Sequence, residues 1–522
     1  MPIDHERPTM NRYIDTRGNV SDALSFCEAI VEGIAPGGGL FVPQQIPSMS
    51  VEEICTLAEL PYAQRAARVY RAFEVDVADD AIDSLMAGAY GPQFDDERIA
   101  PVVDLGDGIH VLELFHGPTS AFKDMALQCL PVFFSASIDK QRAAGGPGHD
   151  YLIAVATSGD TGKAALAGFK DREHISIVVF YPDGGVSDIQ YKQMATQEGG
   201  NVCVYGVRGN FDDCQTSVKR MFNDKEFNEV LAASDNVVLS SANSINWGRL
   251  MPPIVYYVSA YSQMVAQGAL ELGEPMDVTV PTGNFGNILA SWYAKQMGVP
   301  IGTIVCASNA NRVLTDFIQE GTYSIEEREF VLTSSPSMDI LISSNLERQL
   351  FELTGRDAAK VAGWMAELSA TGRFTIDDAT YAAFANQYRA GSVGDQESLD
   401  TIKEVMDEHG YLLDPHTAVA WKVARRNKGA NPMLVVSTAR WAKFGGAVYR
   451  ALAGIPAGQE LPAEVASLTG AQLNRKVAQM AGVTGTYAVP PSLDQLDEMP
   501  IRFTEVVDGT TAAVEAAVKA TL

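Results

Sequence analysis

The stretch Tyr151–Lys163 (YLIAVATSGDTGK) joins an uninterrupted apolar run to a glycine-rich turn. The apolar run predicts a strand buried on both faces, and the turn leads into a helix predicted at Ala164–Lys170. Similar apolar runs predict strands at Ile175–Tyr181, Asp277–Val280 and Met433–Val436. Strands of this kind alternating with helices predict an α/β fold built on parallel sheets with helices on both faces. Ligands in such folds bind at the carboxyl ends of the strands, where the glycine turns lie.

The texture of the sequence changes along the chain and predicts three regions. Residues 1–100 form a small helical N-terminal region, and residues 101–450 form the α/β catalytic region. Within the latter we expect a large domain and a smaller α/β subdomain around 125–240. Residues 451–522 are expected to be a helical C-terminal extension. The helices predicted in the N-terminal region are Ser21–Glu32, Val51–Ala58 and Ala78–Ala89.

Composition and charge restrict the possible partners. The 522 residues include 39 Lys and Arg against 65 Asp and Glu, a formal net charge of −26, which repels nucleic acid and anionic membranes. Six cysteines without a C-x-x-C pair suggest neither a metal site nor a disulfide framework. The first residues, Met1–Arg7, lack a secretory apolar segment, and no apolar run reaches the ~18–20 residues that span a bilayer. We therefore expect a cytoplasmic protein.

The segment Phe115–Asp124 (FHGPTSAFKD) places a lysine after a constrained turn. Lys123 follows the apolar residues Ala121 and Phe122, and a lysine held in an apolar site loses hydration. Loss of hydration disfavours the charged amine and raises its nucleophilicity, as Schiff-base chemistry requires. Taken alone, the segment is more typical of a surface lysine at the start of a helix, since lysine is rarely fully buried.

Two glycine-rich turns and one strand end complete the pattern. Thr157–Lys163 and Pro281–Asn287 (PTGNFGN) each follow a strand and precede a helix, so their amide groups can bind an anion. The first turn is not a P-loop, because Thr157 and Ala164 stand where glycine and Ser or Thr are needed. Each turn alone could be an ordinary connection. Together with a hydroxyl at Thr438, they supply the parts that a phosphorylated aldehyde cofactor and an anionic amino acid need.

The motifs FHGPTSAFKD, TSGDTGKAA, PTGNFGN and STARWAKF resemble, in this order and spacing, those of the threonine synthases. These are fold type II pyridoxal-phosphate enzymes related to the tryptophan synthase beta chain. The resemblance extends to Tyr13–Gly18 (YIDTRG), Leu40–Pro43 (LFVP) and Ser244–Arg249 (SINWGR). It covers most of residues 10–450 and implies conversion of O-phospho-L-homoserine and water to L-threonine and inorganic phosphate.

The resemblance also implies a role for particular residues. Lys123 would form the Schiff base with pyridoxal 5'-phosphate, and Thr438 would face the pyridine nitrogen. The loop with Ser158, Asp160 and Thr161 would receive the substrate carboxylate, and Asn246 and Arg249 are candidates for its phosphate. The cofactor phosphate would be held by the second glycine turn, that is by Gly283, Asn284, Phe285, Gly286 and Asn287.

The chain departs from the family pattern at a few positions, and alternatives remain. Arg440 and Trp441 stand where the family usually has His and Pro, and Asp15 stands for a usual Ser. The alternatives are another fold type II lyase, such as a threonine or serine dehydratase, and a relative that binds the cofactor or a phosphorylated ligand without turnover. We expect a small-molecule substrate, no metal, and a monomer or homodimer.

Overall fold

Two sheets of mainly parallel strands organise the chain, whose computed structural model describes residues 10–326 and 328–522. The strands are β1 Tyr13–Asp15, β2 Phe41–Pro43, β3 Val102–Asp104, β4 Ile109–Glu113, β5 Asp150–Ala156, β6 Ile175–Pro182, β7 Val202–Arg208, β8 Val237–Ser240, β9 Met276–Pro281, β10 Ile301–Ser308, β11 Thr322–Ser324, β12 Arg373–Thr375, β13 Tyr388–Ser392, β14 Met433–Ser437 and β15 Val506–Asp508. The predicted α/β fold is confirmed.

Helices cover both sheets and form most of the two ends of the chain. The α-helices are α1 Phe26–Glu32, α2 Val51–Thr56, α3 Tyr62–Ala72, α4 Asp79–Ala89, α5 Lys123–Leu127, α6 Leu130–Ala143, α7 Asp160–Phe169, α8 Asp188–Ala195, α9 Phe211–Asn223, α10 Lys225–Val230, α11 Trp247–Ala266, α12 Gly286–Gln296, α13 Val313–Glu320, α14 Leu346–Leu353, α15 Ala358–Thr371, α16 Asp378–Ala385, α17 Asp395–His409, α18 Pro415–Asn427, α19 Gly445–Ala453, α20 Ala463–Ala466, α21 Gly470–Ala481, α22 Pro491–Asp494 and α23 Thr511–Thr521. Short 3₁₀ segments lie at Pro36–Gly38, Leu57–Glu59, Pro336–Met338, Trp441–Phe444 and Gly485–Tyr487, and a π turn at Leu231–Asp235.

The large sheet has six strands in the order β13-β10-β9-β14-β4-β3. All neighbours are parallel except β3, which runs antiparallel to β4. β14 lies in the middle, so that Val435 pairs with Thr279 on one side and Val111 on the other. Because β4, β9 and β14 are parallel neighbours, the loops that carry Lys123, the PTGNFGN turn and Thr438 leave the sheet at one edge.

The small sheet has five parallel strands in the order β15-β7-β6-β5-β8. Four of them lie within residues 150–240, but the edge strand β15 comes from the predicted helical extension and pairs with β7 through Val506 and Gly206. The sequence prediction lacked this strand because three residues give no recognisable run of apolar positions.

Helix α11 is buried along nearly its whole length and anchors the N-terminal region to the large domain. It runs for 20 residues, and Trp247, Tyr256 and Tyr257 are among its fully buried side chains. A helix that is apolar all round belongs in the interior of a large protein. Its amino end, capped by Asn246, reaches the candidate site.

The predicted N-terminal helices form, but two of them start later than expected. α1 begins at Phe26 because the Ser25 side chain caps it and Glu28 closes a capping box. A two-stranded antiparallel ladder of β1 and β2 joins the helices. Residues 1–9, on which the expected lack of a secretory segment mainly rests, lie outside the described residues. Among the residues described, no helix has the length and apolar character needed to cross a membrane.

Candidate active site

Lys123 begins α5 and lies beside the carboxyl end of β14. The backbone N–H of Phe122 donates to the carbonyl of Thr438 at 2.7 Å, and the N–H of Arg440 donates to the carbonyl of Ser120 at 3.0 Å. These bonds hold the lysine loop against the segment that follows β14. Lys123 and Thr438 therefore lie close together, as we expected from the sequence.

The lysine loop takes a shape that only glycine permits at residue 117. A Cβ on Gly117 would lie 2.4 Å from the Cβ of Asp124. The Asp124 carboxylate in turn accepts hydrogen bonds from the backbone N–H and the hydroxyl of Thr119, at 2.8 Å and 2.7 Å. Burial raises the pKa of Asp124 to about 6, although the bonds from Thr119 oppose the rise. The carboxyl thus serves to fold the loop.

The amine of Lys123 is buried among charged groups. Its Nζ lies 3.1 Å from the Oγ of Ser337 and 3.6 Å from the Oδ2 of Asp160, and its side chain is 11% exposed. Burial lowers the pKa of Lys123; Asp160 opposes this shift, whereas the charges of Lys443 and Arg249 add to it. A lowered pKa favours the neutral amine, which is the nucleophilic and basic form.

Asp160 is the shared counter-ion of two lysines. Its Oδ1 lies 2.9 Å from the Nζ of Lys443, a fully buried lysine that also donates to the carbonyl of Thr119 at 2.9 Å. Burial alone would raise the pKa of Asp160, but Lys443 and Lys123 hold it well below its ordinary value. An ionised carboxylate bound to two lysines cannot itself bind a substrate carboxylate. Any such binding at this loop falls to its amide groups and hydroxyls.

The loop before α7 is arranged by Thr157. The Oγ1 of Thr157 accepts the N–H groups of Gly159 at 3.0 Å and Gly162 at 2.9 Å. Gly159 has a φ of 124°, and a Cβ there would lie 2.5 Å from the Cδ of Gln190. Ser158 and Thr161 are half-buried at the amino end of the helix, where unpaired N–H groups attract anions. Their assignment to the substrate carboxylate stays a prediction.

The second glycine turn makes a cradle in front of α12. Phe285 has a φ of 61°, and its buried ring faces Tyr388 at 5.8 Å, so only its backbone is available to a ligand. Asn284 is exposed, and its carbonyl accepts the backbone N–H of Asn345 at 3.1 Å. The helix begins at Gly286, and the N–H groups of its first turn have no partner within the helix.

Asn287 offers a polar atom that lacks a partner. Its Oδ1 accepts hydrogen bonds from the hydroxyls of Tyr256 and Tyr257, both at 2.6 Å, which fixes the amide orientation. Its Nδ2 is buried without a partner among the described residues. A buried donor beside a helix amino end is suited to a phosphate oxygen. The residues at this turn therefore fit the phosphate of pyridoxal phosphate.

Arg249 is a buried cation without a carboxylate partner in the described part of the chain. Its Nη1 donates to the carbonyl of Ala242 at 2.7 Å, while its Nε is buried and unpaired. Burial lowers the pKa of Arg249 to about 10, and its charge is close enough to lower the pKa of Lys123. A buried guanidinium without an anion is costly, and an anionic ligand would neutralise it.

Asn246 does not share this role. Its side chain is fully buried, its Nδ2 donates to the carbonyl of Ile30 at 2.8 Å, and its Oδ1 accepts the N–H of Gly248 at 2.8 Å. The amide is thus used to cap α11. Asn246 holds the helix that presents Arg249, and its side chain has no group left for a substrate phosphate.

Four residues at the site were not among the predicted ones: Ser337, Lys443, Asp414 and His416. Lys443 lies within the STARWAKF motif, so its charge was a visible signal. Asp414 caps α18, which begins with Pro415, a pattern typical of helix starts but not of active sites. Ser337 lies in a 3₁₀ segment with no distinguishing local pattern.

His116, in the lysine loop, is buried between two carboxylates. Its Nδ1 lies 2.6 Å from the Oδ1 of Asp95 and its Nε2 lies 2.8 Å from the Oε2 of Glu113. Burial alone would lower the pKa of His116, but both carboxylates together raise it above 6.5. Arg440 neutralises the group further, because its Nη2 lies 2.5 Å from the Oδ2 of Asp95. Arg440 thus takes part in this ion cluster through the carboxylate of Asp95.

We expect His116→Gln to destabilise the protein by about 3 kcal/mol in acid, because a buried ion pair loses its cation. A raised folded-state pKa means that this stabilisation is complete below pH 6.5 and is lost as the pH rises through the folded value. Urea unfolding of both proteins at about pH 5.5 and about pH 8 measures the difference. The control is His149→Gln, at a half-buried histidine outside the ion cluster of His116. An equal difference between His116→Gln and the wild type at both pH values contradicts the prediction.

An open cavity of about 960 Å³ adjoins the loop before α7 and Lys443. Ser158 and Lys443 are among its lining residues, and Phe330 and Leu332 line it as exposed apolar residues. Helix α21 supplies Leu473 to another wall. The C-terminal extension therefore shapes the access to the site.

Comparisons with known proteins agree with this geometry. Three family models match: "Threonine synthase N terminus" at residues 12–90, "Pyridoxal-phosphate dependent enzyme" at 97–438 and "Threonine synthase, C-terminal" at 417–483. The chain is 39% identical over 463 residues to a threonine synthase of Pseudomonas aeruginosa, covering 88% of this chain and 93% of that protein. The chain belongs to the threonine synthase family. Membership also confirms the predicted family of pyridoxal-phosphate enzymes and the cofactor.

Other members of the threonine synthase family extend the likeness to structure and to longer chains. The pyridoxal-phosphate-bound threonine synthase of Brucella melitensis has a TM-score of 0.83 and 37% identity, covering 98% of this chain and 99% of that one. Threonine synthase-like 1 of Homo sapiens is 42% identical over 462 residues, or 86% of this chain. The chain spans only 61% of that relative's length.

Proposed function

We propose that this protein is a threonine synthase, which converts O-phospho-L-homoserine and water to L-threonine and inorganic phosphate. The observation that carries the proposal is Arg249, a buried guanidinium without a carboxylate partner among the described residues, close enough to affect Lys123. The phosphate of pyridoxal phosphate is accounted for by the Gly283–Asn287 turn. Arg249 is then a site for a second anionic group, the phosphate of the substrate.

The residues support a division of tasks during the reaction. Bound pyridoxal phosphate supplies an electron sink that acidifies the proton at Cα of the amino acid. Lys123 anchors the cofactor and, once its amine is free, removes that proton as general base. Loss of a second proton, from Cβ, lets the γ-phosphate leave, and Arg249 holds this phosphate and stabilises its charge. Cγ and Cα then regain protons, and the hydroxyl of water adds at Cβ. The hydroxyl of Thr438 would face the pyridine nitrogen of the cofactor. It is neutral, unlike a carboxylate at the same position.

The runner-up activity is a fold type II lyase such as a threonine or serine dehydratase. A dehydratase substrate has no phosphate, so it would leave Arg249 buried without an anion. A relative that binds the cofactor or a phosphorylated ligand without turnover is a further alternative, and the presence of Lys123 in this site argues against it. We also propose a cytoplasmic location, since all six cysteines are free. We propose that the protein is a monomer or homodimer. Its domain boundaries are proposed to lie near residues 100 and 450.

The cofactor-loaded protein should release inorganic phosphate from O-phospho-L-homoserine and form threonine in equal amounts. Parallel assays with serine and threonine measure 2-oxo acid formation. Phosphate release with little oxo acid supports the proposal. Oxo acid without phosphate release would favour the dehydratase, and cofactor binding without either product would favour the binding protein.

Arg249→Gln should raise KM for O-phospho-L-homoserine about 10- to 100-fold, because it removes a charge-assisted bond worth about 1.5–3 kcal/mol. Binding of pyridoxal phosphate, measured by its visible absorbance, should change little. Arg172→Gln is a matched control, since Arg172 is half-buried and lies outside the site. If Arg249→Gln instead weakens cofactor binding and leaves KM unchanged, Arg249 does not bind the substrate phosphate.

A further inference from the structure

Ser337 contacts the reacting amine of Lys123. It lies in the 3₁₀ segment Pro336–Met338, in the connection between β11 and α14. Its Oγ accepts a hydrogen bond from the Nζ of Lys123 at 3.1 Å and donates to the Oδ2 of Asp160 at 3.2 Å. The three groups therefore form a directed chain from amine to hydroxyl to carboxylate.

The backbone of Ser337 is held by a buried histidine. Its N–H donates to the Nε2 of His416 at 3.1 Å, so that nitrogen is an acceptor and the ring proton is on Nδ1. The Nδ1 donates to the Oδ1 of Asp414 at 2.7 Å. Both His416 and Asp414 are fully enclosed at the capped start of α18. The pair is thus a rigid support on a regular element.

The carbonyl of Ser337 rests on the phosphate-binding turn. A Cβ on Gly283 would lie 2.7 Å from this oxygen, so the close approach requires glycine. The hydroxyl of Ser343, farther along the same connection, donates to the carbonyl of Gly283 at 2.7 Å. The hydroxyl, N–H and carbonyl of Ser337 therefore each face a different part of the site. Such contacts leave the residue little freedom to move.

We propose that Ser337 is a positioning residue for the Lys123 amine and that the Asp414–His416 pair fixes its place. A free amine on a four-carbon chain can rotate, and its lone pair must point at the proton it removes. The Ser337 hydroxyl accepts one N–H of the amine at 3.1 Å, and the Asp160 carboxylate attracts the amine from 3.6 Å, so that the two groups together restrict the direction of the lone pair. The inference rests on the proposed function for the identity of Lys123 as the reacting amine.

The test compares Ser337→Ala and Ser337→Thr with the wild type. Ser337→Ala should lower kcat about 10- to 100-fold with KM changed less than about twofold, as expected for a misplaced reacting group. Ser337→Thr keeps the hydroxyl and should restore kcat to within about threefold of the wild type. Ser334→Ala is the matched control, because that hydroxyl on the same connection bonds Asp395 instead.

A second readout does not depend on substrate turnover. The cofactor-free protein is mixed with pyridoxal phosphate, and the rate at which the Lys123 amine reacts is followed by absorbance across the pH range. Ser337→Ala should slow this reaction about tenfold and displace its pH profile, whereas Ser334→Ala should not. If the wild type fails to release phosphate from phosphohomoserine, the proposed function fails, yet this comparison still decides the role of Ser337.

The role of His416 is tested by a double-mutant cycle. His416→Leu alone should lower kcat to a similar extent, and the combination with Ser337→Ala should be no worse than Ser337→Ala alone, because His416 acts through Ser337. Additive losses would overturn the supporting role of the pair. A Ser337→Ala variant with kcat within twofold of the wild type, or a Ser337→Thr variant no better than it, would overturn the proposal as a whole.

Discussion

Lys123→Ala should lose at least about 10³-fold of turnover, since it removes both the cofactor anchor and the general base. The visible absorbance that the protein shows with pyridoxal phosphate should disappear as well. Folding should be preserved, because the variant no longer buries an amine and Asp160 keeps its 2.9 Å contact with Lys443. Phosphate-release kinetics and the absorbance spectrum are the measurements.

A control and a rival lysine sharpen this test. Lys170→Ala removes a partly exposed lysine that pairs with Glu198, and its activity should equal that of the wild type. Lys443 is the only rival close enough to Asp160 among the described residues, but its Nζ already bonds Asp160 and the carbonyl of Thr119. If Lys123→Ala retained the absorbance band and Lys443→Ala lost it, the assignment of the anchor would be wrong.

Asp160→Asn should destabilise the protein by about 3–5 kcal/mol, because the buried ammonium group of Lys443 loses its anion. Since Asp160 has a depressed pKa, its contribution is present above the unfolded value of 3.8 and is lost only as the pH falls through the folded value. The difference between wild type and variant should therefore stay constant at neutral pH and shrink in strong acid. Urea unfolding across this range measures it.

Asp407→Asn gives the comparison at the surface. Asp407 pairs with Lys403 at 2.7 Å on α17, but both side chains are about half exposed. Removing such a pair costs about 0–1 kcal/mol. An Asp160→Asn variant no less stable than Asp407→Asn would show that the carboxylate is not the electrostatic centre of the site. The turnover of Asp160→Asn should also fall sharply, since Lys123 and Ser337 lose the carboxylate beside them.

The strands that carry the site were predictable because they are buried on both faces. The segments Tyr151–Ala156 and Met433–Val436 are apolar without interruption. The ends of the observed strands differ from the predicted ends by at most one residue. The turns that follow these strands need glycine, since a Cβ at Gly159 would collide with Gln190 and a Cβ at Gly283 with the carbonyl of Ser337. Lys123 and Thr438 met as expected because β4 and β14 are adjacent and parallel.

The remaining features depend on contacts between distant parts of the chain. Asn246 carries the same amide whether it caps a helix or binds a phosphate, and its bonds to Gly248 and Ile30 decide between the two. Ser337 and Lys123 are hydrogen-bonded although 214 residues separate them in the sequence, and no local pattern predicts this contact. The sequence shows only that Arg440 stands where the family usually has histidine. Its partners, Asp95 and the carbonyl of Thr486, come from distant parts of the chain.

Strand β15 has a consequence for biosynthesis. Arg208 of β7 and its partner Asp508 are 300 residues apart, so the edge of the small sheet stays open while that length of chain is made. At ~5–20 residues per second, the ribosome needs about 15–60 s for this. During that time β7 presents unpaired N–H and C=O groups, a template on which other nascent chains can add strands.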